Sequence, residues 1–481
     1  MTGEEQKQQA NTSGEARSSG EAHNHAQQDA GDKTLPSLTR RGFLAGALGA
    51  GATVVAATGE ALLTGCARSE EDKINDLATK AVEDKDVPVV EVSPEQIVEI
   101  TDFEEAPFED YLELIASYEL PPGSLVHQIS EELALVLKAD EKGGNRRQIG
   151  IMDLITGEVR TLVKEPVEAE RGVIIYDARA SKSCLIWVEL NLGALTWKTY
   201  VAAIISEKVL SPTHSLVNMA LGDVLLVEEG GVDYEPPMLA VFEDKAYWTV
   251  MPYAAGKANM EDSYLKALPN AQKAGTSKAE PYTVFVSHGR MITNPLVSGS
   301  TITLVPRVDT ANIYYQLTAL NCSDDKAVAF QVLPFELRVS DAVLVESSFL
   351  FSIEGNYTYA GGLSRFGIYQ QLTDGNYLHV SKPPTNAMVR FGDCLLFKST
   401  SSIIGVDPEK KKLFVVKSPP RCSDFGEALV GGGAQTKVVT CSIRMKEGGQ
   451  GAEITLIRVF GKAKPKADPS PSNQSTPESG Q

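Results

Sequence analysis

The chain has little positive charge for its length. Its 481 residues contain 45 Lys and Arg against 63 Asp and Glu, which gives a formal net charge of −18. Proteins that bind nucleic acid use clustered Lys and Arg to neutralise phosphates, and proteins that adhere directly to anionic lipid need a basic patch. The composition therefore argues against nucleic acid as a partner and against membrane contact through a basic surface.

Short catalytic motifs are missing as well. The sequence has no His-Glu-x-x-His, no Gly-x-Ser-x-Gly and no phosphate-binding loop. Ser287 and His288 are adjacent, but neighbouring residues of a strand point to opposite faces, so they do not predict a catalytic dyad. The sequence predicts no catalytic residue, no cofactor and no metal site. Four histidines follow residue 65, and they are far apart in the chain: His127, His214, His288 and His379.

Cysteine is sparse, with six in the whole chain. No two have the Cys-x-x-Cys spacing of a metal or redox site, and those after Cys66 are typical of small buried apolar residues. Their odd number leaves at least one unpaired within the chain. A disulfide between Cys422 and Cys441 remains an open alternative. The five are Cys184, Cys322, Cys394, Cys422 and Cys441.

Residues 38–66 carry the most specific motifs of the chain. Thr39-Arg40-Arg41-Gly42-Phe43-Leu44 resembles the twin-arginine export signal, in which paired arginines precede Phe and Leu. The apolar run that follows is interrupted by glycines and by Glu60, whereas a spanning helix needs about 20 strongly apolar residues. The run therefore favours a signal peptide, with a buried Gly/Ala helix as the alternative.

The same stretch ends in Leu63-Thr64-Gly65-Cys66, which resembles the bacterial lipobox. The resemblance implies that Cys66 carries a diacylglyceryl group and becomes the first residue of the mature chain. The export motif implies transport by the twin-arginine translocase. The two motifs together imply a lipid-anchored location on the extracytoplasmic face of the cell membrane.

Composition divides the chain into four parts. Residues 1–65 are predicted to be a disordered polar leader followed by the lipoprotein signal peptide. Residues 66–86 are charged and are predicted to be a linker between lipid and domain. Residues 87–461 are predicted to form the folded domain, and residues 462–481, rich in Lys, Pro and Ser, a disordered tail.

The folded part has the pattern of an all-β protein. In Val439–Met445 every second residue is apolar, and Ser300–Leu304 shows the same two-residue period of a strand with one buried face. Turn sequences such as Thr156-Gly157 and Asp374-Gly375-Asn376 separate many similar short runs. Because about 350 residues exceed one β-sandwich, this rhythm favours a β-propeller.

Grouping the runs predicts seven blades, with six or eight as alternatives. Phrases such as Ile149–Gly157 resemble the strand–turn units of TolB-like propellers of bacterial envelopes. The last unit is short of a strand, so a segment within 87–103 is predicted to close the ring, first Val87–Val92 and second Ile97–Phe103. The alternative is that both segments run over the surface as a linker. Tyr111–Tyr118 is interpreted as helical. The seven predicted blades lie near residues 124–164, 172–210, 217–253, 284–335, 338–380, 387–417 and 427–460.

Two segments are candidate binding loops, and a disordered loop is the alternative for the longer one. Glu228–Pro237 is acidic and carries Tyr234, and Pro252–Pro281 is interpreted as a long insertion with Tyr253 and Tyr264 as anchors. The sequence thus favours a tethered binding or assembly module for a protein, glycan or peptide partner. The alternative is an exported propeller-type enzyme, either a glycan hydrolase or lyase or a dehydrogenase.

Overall fold

A computed structural model describes residues 54–55, 89–139, 145–168, 172–206, 219–253, 261–269, 280–309, 312–382 and 388–464. All of them belong to one compact unit, Gly46–Gln481. The predicted export and lipobox residues, including Arg40, Arg41 and Cys66, lie outside the described residues.

The described strands form seven sheets. Six of these take four consecutive antiparallel strands from one continuous stretch of chain, and we number them in chain order. Sheet 1 contains Leu125–Gln128, Leu133–Ala139, Arg146–Asp153 and Val159–Val163. Sheet 2 contains Val173–Ala180, Cys184–Asn191, Thr196–Ser206 and Met219–Gly230. Sheet 3 contains Leu239–Phe242, Lys245–Val250, Ser263–Leu268 and Tyr282–Ser287.

The other three contiguous sheets follow in the same way. Sheet 4 contains Leu296–Ser298, Thr301–Leu304, Gln316–Asn321 and Ala327–Val332. Sheet 5 contains Val339–Val345, Ser348–Ile353, Gly367–Gln371 and Tyr377–Val380. Sheet 6 contains Met388–Phe391, Cys394–Lys398, Ile403–Asp407 and Lys412–Val416.

Sheet 7 combines the two ends of the domain. Its order is Cys422–Leu429, Val438–Met445, Ala452–Lys462 and then Leu112–Leu120, which comes from the N-terminal side. The chain is thus an all-β propeller, but the prediction of seven blades is wrong: six blades, one of the alternative numbers, are each formed by one continuous stretch of chain. The last stretch supplies only three strands of its sheet and depends on pairing with a segment over 300 residues earlier.

Apolar side chains fill the space between successive sheets. Leu135 of sheet 1 and Trp187 of sheet 2 lie in one buried cluster, and the arrangement continues around the ring until Ile457 of sheet 7 packs with Val136 of sheet 1. Because a sheet between two neighbours is buried on both faces, its inner strands are continuously apolar. Leu133–Leu137 is buried at every position for this reason.

The segment before sheet 1 runs along the outer edges of the blades. Val89 bridges Val332 of sheet 4, Ile97–Glu99 pairs with Tyr377–His379 of sheet 5, and Glu104–Glu105 pairs with Lys412–Leu413 of sheet 6. We call residues 89–105 the strap. Short 3-10 helices connect these contacts: Pro94–Gln96, Ile100–Asp102 and Phe108–Asp110, with a fourth at Gly361–Leu363.

Ring closure by an N-terminal segment is observed, but the predicted residues are wrong. Leu112–Leu120 provides the closing strand, whereas Val87–Val92 and Ile97–Phe103 were the predicted candidates. The interpretation of Tyr111–Tyr118 as helical is therefore also wrong. Leu112 and Leu120 are buried while Glu113 and Glu119 are exposed, which is the pattern of an edge strand anchored at both ends.

Two further segments differ from expectation. Pro252–Pro281 is not a simple insertion, since Ser263–Leu268 within it is the third strand of sheet 3. Ser263 and Lys266 are polar, so this segment lacks the clear alternation of apolar and polar residues that predicts a strand. Val54–Val55, in the predicted signal peptide, forms a two-residue strand against Ala329–Phe330. Among the helices that the structure describes, none has the length and apolar character needed to cross a membrane.

Candidate functional site

The centre of the ring is crossed by a glycine-rich loop. The first strands of neighbouring sheets contact one another there. Gly433–Gln435, between the first two strands of sheet 7, pairs with Val389–Phe391 of sheet 6. Gly433 has a φ of 72°, and a Cβ on it would lie 2.6 Å from Oγ of Ser298 in sheet 4. Only glycine suits such a left-handed position against neighbouring atoms. We call residues 431–435 the axial loop.

Hydrogen bonds hold the axial loop and the nearby Lys437 to two blades. The Ala434 amide donates to Oγ of Ser298 at 3.2 Å, and the Gln128 side chain of sheet 1 donates to the Lys437 carbonyl at 3.2 Å. Backbone and small side chains therefore occupy this end of the axis.

One charged cluster joins the first strands of sheets 1 and 2. Arg179 forms an ion pair with Asp177, and Nη1 of Arg179 lies 2.9 Å from Nε2 of His127. Burial, followed by the charge of Arg179, lowers the pKa of His127. Burial opposes ionisation of Asp177, but Arg179 and His127 outweigh it and hold the pKa of that carboxyl at about 2.

This cluster is poorly suited to proton transfer. A general base works best with a pKa near the operating pH, whereas the pKa of Asp177 lies at about 2. Because a guanidinium nitrogen can only donate, Nε2 of His127 is the acceptor of its hydrogen bond with Arg179. The cluster is therefore an ion pair within sheet 2 whose guanidinium donates a hydrogen bond to a neutral imidazole of sheet 1.

The strongest candidate site is a groove between sheets 2 and 3, with an open volume of about 470 Å³. We call it the sheet 2–3 groove. Its walls mix aromatic, acidic and basic side chains, which suits a pocket that combines apolar contact with a few fixed polar groups. The lining residues are Trp197, Glu228, Glu229, Tyr234, Val250, Tyr264, Lys266 and Thr283.

The two loops singled out from the sequence meet at this groove. Tyr234 forms a backbone bridge with Pro252, and the Tyr253 amide donates to the Asp233 carbonyl at 2.8 Å. Tyr234 and Tyr253 remain 43% and 54% exposed, so both rings can contact a ligand. Tyr234 and Tyr264 line the groove, and Tyr253 lies beside it.

Ion pairs and hydrogen bonds fix several side chains around the sheet 2–3 groove. Arg290 donates two hydrogen bonds to Glu235, at 2.5 and 2.6 Å, and a third to the Pro252 carbonyl. Oε2 of Glu228 accepts from Nε1 of Trp248 at 3.1 Å and from Nζ of Lys266 at 2.6 Å. These bonds use one oxygen of Glu228. A carboxylate and an ammonium are thereby positioned side by side before any ligand arrives.

Sequence reasoning missed Trp197 and the Glu228–Lys266 pair. Trp197 is almost fully buried, and its indole N–H donates to the Tyr234 carbonyl at 3.1 Å, so it supports the aromatic rim from below. Tryptophan occurs only three times in the chain. That rarity was the available signal, but nothing local to Trp197 connects it with Tyr234 or Lys266.

The remaining candidate residues do not assemble into a site. His288 pairs with Asp262, and His379 is buried; His214 lies outside the described residues. In the described part of the chain, no group of three or more His, Cys, Asp or Glu side chains is placed to hold a metal ion. Asp233, Glu261 and Asp262, which are acidic residues near the groove, do not form such a group either. The structure has Cys184, Cys322, Cys394, Cys422 and Cys441 as free thiols.

No protein-family model matches this chain, and no curated protein does. Solved structures do match. BamB from Moraxella catarrhalis is 9% identical, with 73% of this chain and 99% of that chain covered and a TM-score of 0.35. The β-propeller domain of the Trilobed protease from Pyrococcus furiosus is 11% identical, with coverage of 72% and 86% and a TM-score of 0.34.

A third match is the α-L-arabinofuranosidase of Fusarium graminearum, which is 10% identical, with coverage of 74% and 96% and a TM-score of 0.32. At these identities and scores the likeness assigns no activity to the chain. The seven sheets and the cores between them identify the protein as an all-β propeller.

Proposed function

We propose that this chain is a lipid-anchored extracytoplasmic propeller that binds a partner in the envelope through the sheet 2–3 groove. The observation that carries the proposal is the convergence of Tyr234 and Tyr264 on the fixed pair of Glu228 and Lys266. Exposed aromatic rings give large contact area at low entropic cost, and a fixed ion pair gives direction to hydrogen bonds.

The anchor in this proposal is a diacylglyceryl group on Cys66, added after export through the twin-arginine translocase. Residues 67–88 then connect the lipid to Val89 at the edge of sheet 4. Fully extended, 22 residues span at most about 70–80 Å. Since the chain is strongly acidic, an anionic membrane surface repels the domain and favours an extended linker.

We prefer a binding or assembly role to the enzyme alternative because of how the charged groups are arranged. The His127 cluster has its proton acceptors engaged, and the axial loop crosses the ring where a cofactor or a pair of carboxylates would sit. The groove has carboxylates in Glu228 and Glu229, but Glu228 is neutralised by Lys266. The groove is therefore better suited to recognition than to general acid catalysis.

Binding is tested with the chain from residue 66 onward carrying Cys66→Ser, so that it remains soluble. Saturable binding of the fluorescently labelled protein to purified cell envelopes is measured against concentration. Tyr234→Ala and Tyr264→Ala should each weaken binding at least tenfold. Tyr359→Ala is the matched control, since Tyr359 is 55% exposed in the loop between the second and third strands of sheet 5, far from the groove in the ring order. Equal loss in all three variants would contradict the proposal.

Anchoring and export have separate tests. Growth with a labelled fatty acid should label the wild-type chain and leave Cys66→Ala unlabelled, and persistent label in the variant would disprove the lipobox. Changing Arg40 and Arg41 together to Lys keeps the charge but removes the planar guanidinium groups. The double variant should accumulate inside the cell, and unchanged delivery would show that the paired arginines are not an export signal.

A further inference from the structure

Some blades have their outer edge covered by another segment of the chain, and others do not. The strap pairs with the outermost strands of sheets 4, 5 and 6, and Leu112–Leu120 is itself the outermost strand of sheet 7. In the described part of the chain, Met219–Gly230 of sheet 2 pairs only with Thr196–Ser206. An uncovered edge presents backbone donors and acceptors that can pair with another chain.

The outer strand of sheet 2 is long and exposes apolar side chains. Met219–Gly230 has 12 residues, whereas the outer strands of sheets 1 and 3 have 5 and 6. Val224 and Leu226, two residues apart and so on one face of the strand, are 43% and 50% exposed. Native proteins usually shorten, charge or cover such an edge. A long edge with exposed apolar side chains therefore indicates an interaction surface.

Charge on this edge is of one sign. Met219–Gly230 contains Asp223, Glu228 and Glu229 and no Lys or Arg. Asp223 and Glu229 are exposed, and Lys266, across the groove, is paired with Glu228. A segment that pairs with this strand is favoured when it carries a basic residue opposite Glu229 or Asp223.

The edge leads directly into the binding groove, because Glu228 and Glu229 at its end line the groove together with Tyr234 and Tyr264. A chain lying along Met219–Gly230 in the extended conformation therefore reaches the aromatic rim without a turn. A compact ligand of the groove would leave Val224 and Leu226 uncovered. An extended polypeptide accounts for both features together.

We propose that Met219–Gly230 is the docking edge for an extended segment of a partner protein, which adds a fifth strand to sheet 2. Alternate apolar side chains of that segment cover Val224 and Leu226, a basic residue faces Glu229, and one end enters the sheet 2–3 groove. In this mode of recognition, main-chain hydrogen bonds supply affinity and alternate side chains supply specificity. The inference rests on the proposed binding function and specifies its ligand.

The test begins with a displayed library of random twelve-residue peptides, selected on the chain from residue 66 onward carrying Cys66→Ser. Peptides with alternating apolar residues and at least one Lys or Arg should be enriched. Their affinities are then measured by calorimetry against Val224→Lys/Leu226→Lys, where binding should fall at least tenfold. N-methylation of alternate peptide bonds removes the donors needed for strand pairing and should abolish binding in one of the two registers.

The matched control is Leu114→Lys/Ile115→Lys on the outer strand of sheet 7, since these side chains are 48% and 54% exposed. The control should bind the selected peptides like the parent protein. Failure to enrich any peptide, or equal binding to both double variants, would overturn the proposal, as would binding of neutral oligosaccharides on a glycan array in place of peptides. If Tyr234→Ala weakens binding but Val224→Lys/Leu226→Lys does not, the groove function stands and the docking edge is wrong.

Discussion

The carboxylate of Glu99 lies 2.9 Å from Nδ1 of His379, although 280 residues separate them in the chain. His379 is fully buried, and its Nε2 lies 3.2 Å from the Phe366 carbonyl. Arg365 also contacts Glu99. Both imidazole nitrogens thus lie within hydrogen-bond distance of protein oxygen atoms. This contact fixes the strap to sheet 5.

Glu99→Ala should therefore destabilise the domain. Loss of the carboxylate leaves a buried imidazole nitrogen without its partner, at a cost of about 1–3 kcal/mol. Urea unfolding followed by tryptophan fluorescence measures the change. Glu105→Ala is the control, because Glu105 is an exposed residue of the same strap, and it should change the free energy of unfolding by less than about 0.5 kcal/mol. A smaller effect of Glu99→Ala than of the control would show that the strap is not held at this point.

Ring closure by Leu112–Leu120 can be tested with two leucines of one strand. Leu112 is 2% exposed and packs in the cluster between sheets 6 and 7, whereas Leu114 is 48% exposed. Leu112→Ala should cost about 2–5 kcal/mol through lost burial and the cavity it leaves. Leu114→Ala should cost under about 0.5 kcal/mol. Thermal unfolding of both variants provides the comparison, and similar melting temperatures would contradict a closing role for this strand.

Gly433 of the axial loop has a matched control in Gly449, which lies in the turn between Val438–Met445 and Ala452–Lys462. Gly433 and Gly449 have φ values of 72° and 76°, but a Cβ on Gly433 would lie 2.6 Å from Ser298, whereas one on Gly449 would meet nothing within 4 Å. Both alanine variants carry the cost of a left-handed backbone, of order 1–2 kcal/mol. Gly433→Ala should lose further stability, because the loop must move away from Ser298. Equal losses in chemical denaturation would mean that the loop does not press against sheet 4.

The His127 cluster predicts a pH dependence of stability. Burial and Arg179 lower the pKa of His127 in the folded state, while an unfolded histidine titrates near about 6.5. As the pH falls below that value, the unfolded chain binds a proton that the folded chain resists, so the free energy of unfolding decreases. The pKa of Asp177, about 2, adds a second loss as the pH falls below about 4, where unfolded carboxyls protonate.

His127→Gln should flatten the decline between pH 7.5 and 5.5, measured as the urea midpoint at each pH. His288→Gln serves as the control, since His288 pairs with Asp262 at the edge of a loop outside this cluster. An unchanged pH profile in His127→Gln, or an equal change in both variants, would refute the assigned role of His127.

Much of the blade pattern could be predicted locally. The predicted units 124–164, 338–380 and 387–417 coincide with sheets 1, 5 and 6 to within a residue or two at each end. Their strands are short apolar runs between Gly, Asn and Asp turns, and neighbours in sequence are neighbours in the sheet. The error at sheets 2 and 3 arose where Ser263–Leu268 carries polar residues and Met219–Gly230 exposes one of its faces.

The sequence by itself therefore determined the all-β class, the propeller rhythm and the aromatic loops, because side-chain periodicity and turn residues are local properties. Tertiary structure alone decided that Leu112–Leu120 closes sheet 7 and that Glu99 meets His379. It also decided that Trp197, Tyr234 and Lys266 share one groove. These contacts join segments that are far apart in the chain, through backbone pairing in one case and through side chains in the others. Local periodicity and turn residues carry no information about which distant segment a residue will meet, and a backbone hydrogen bond can form between residues of almost any type.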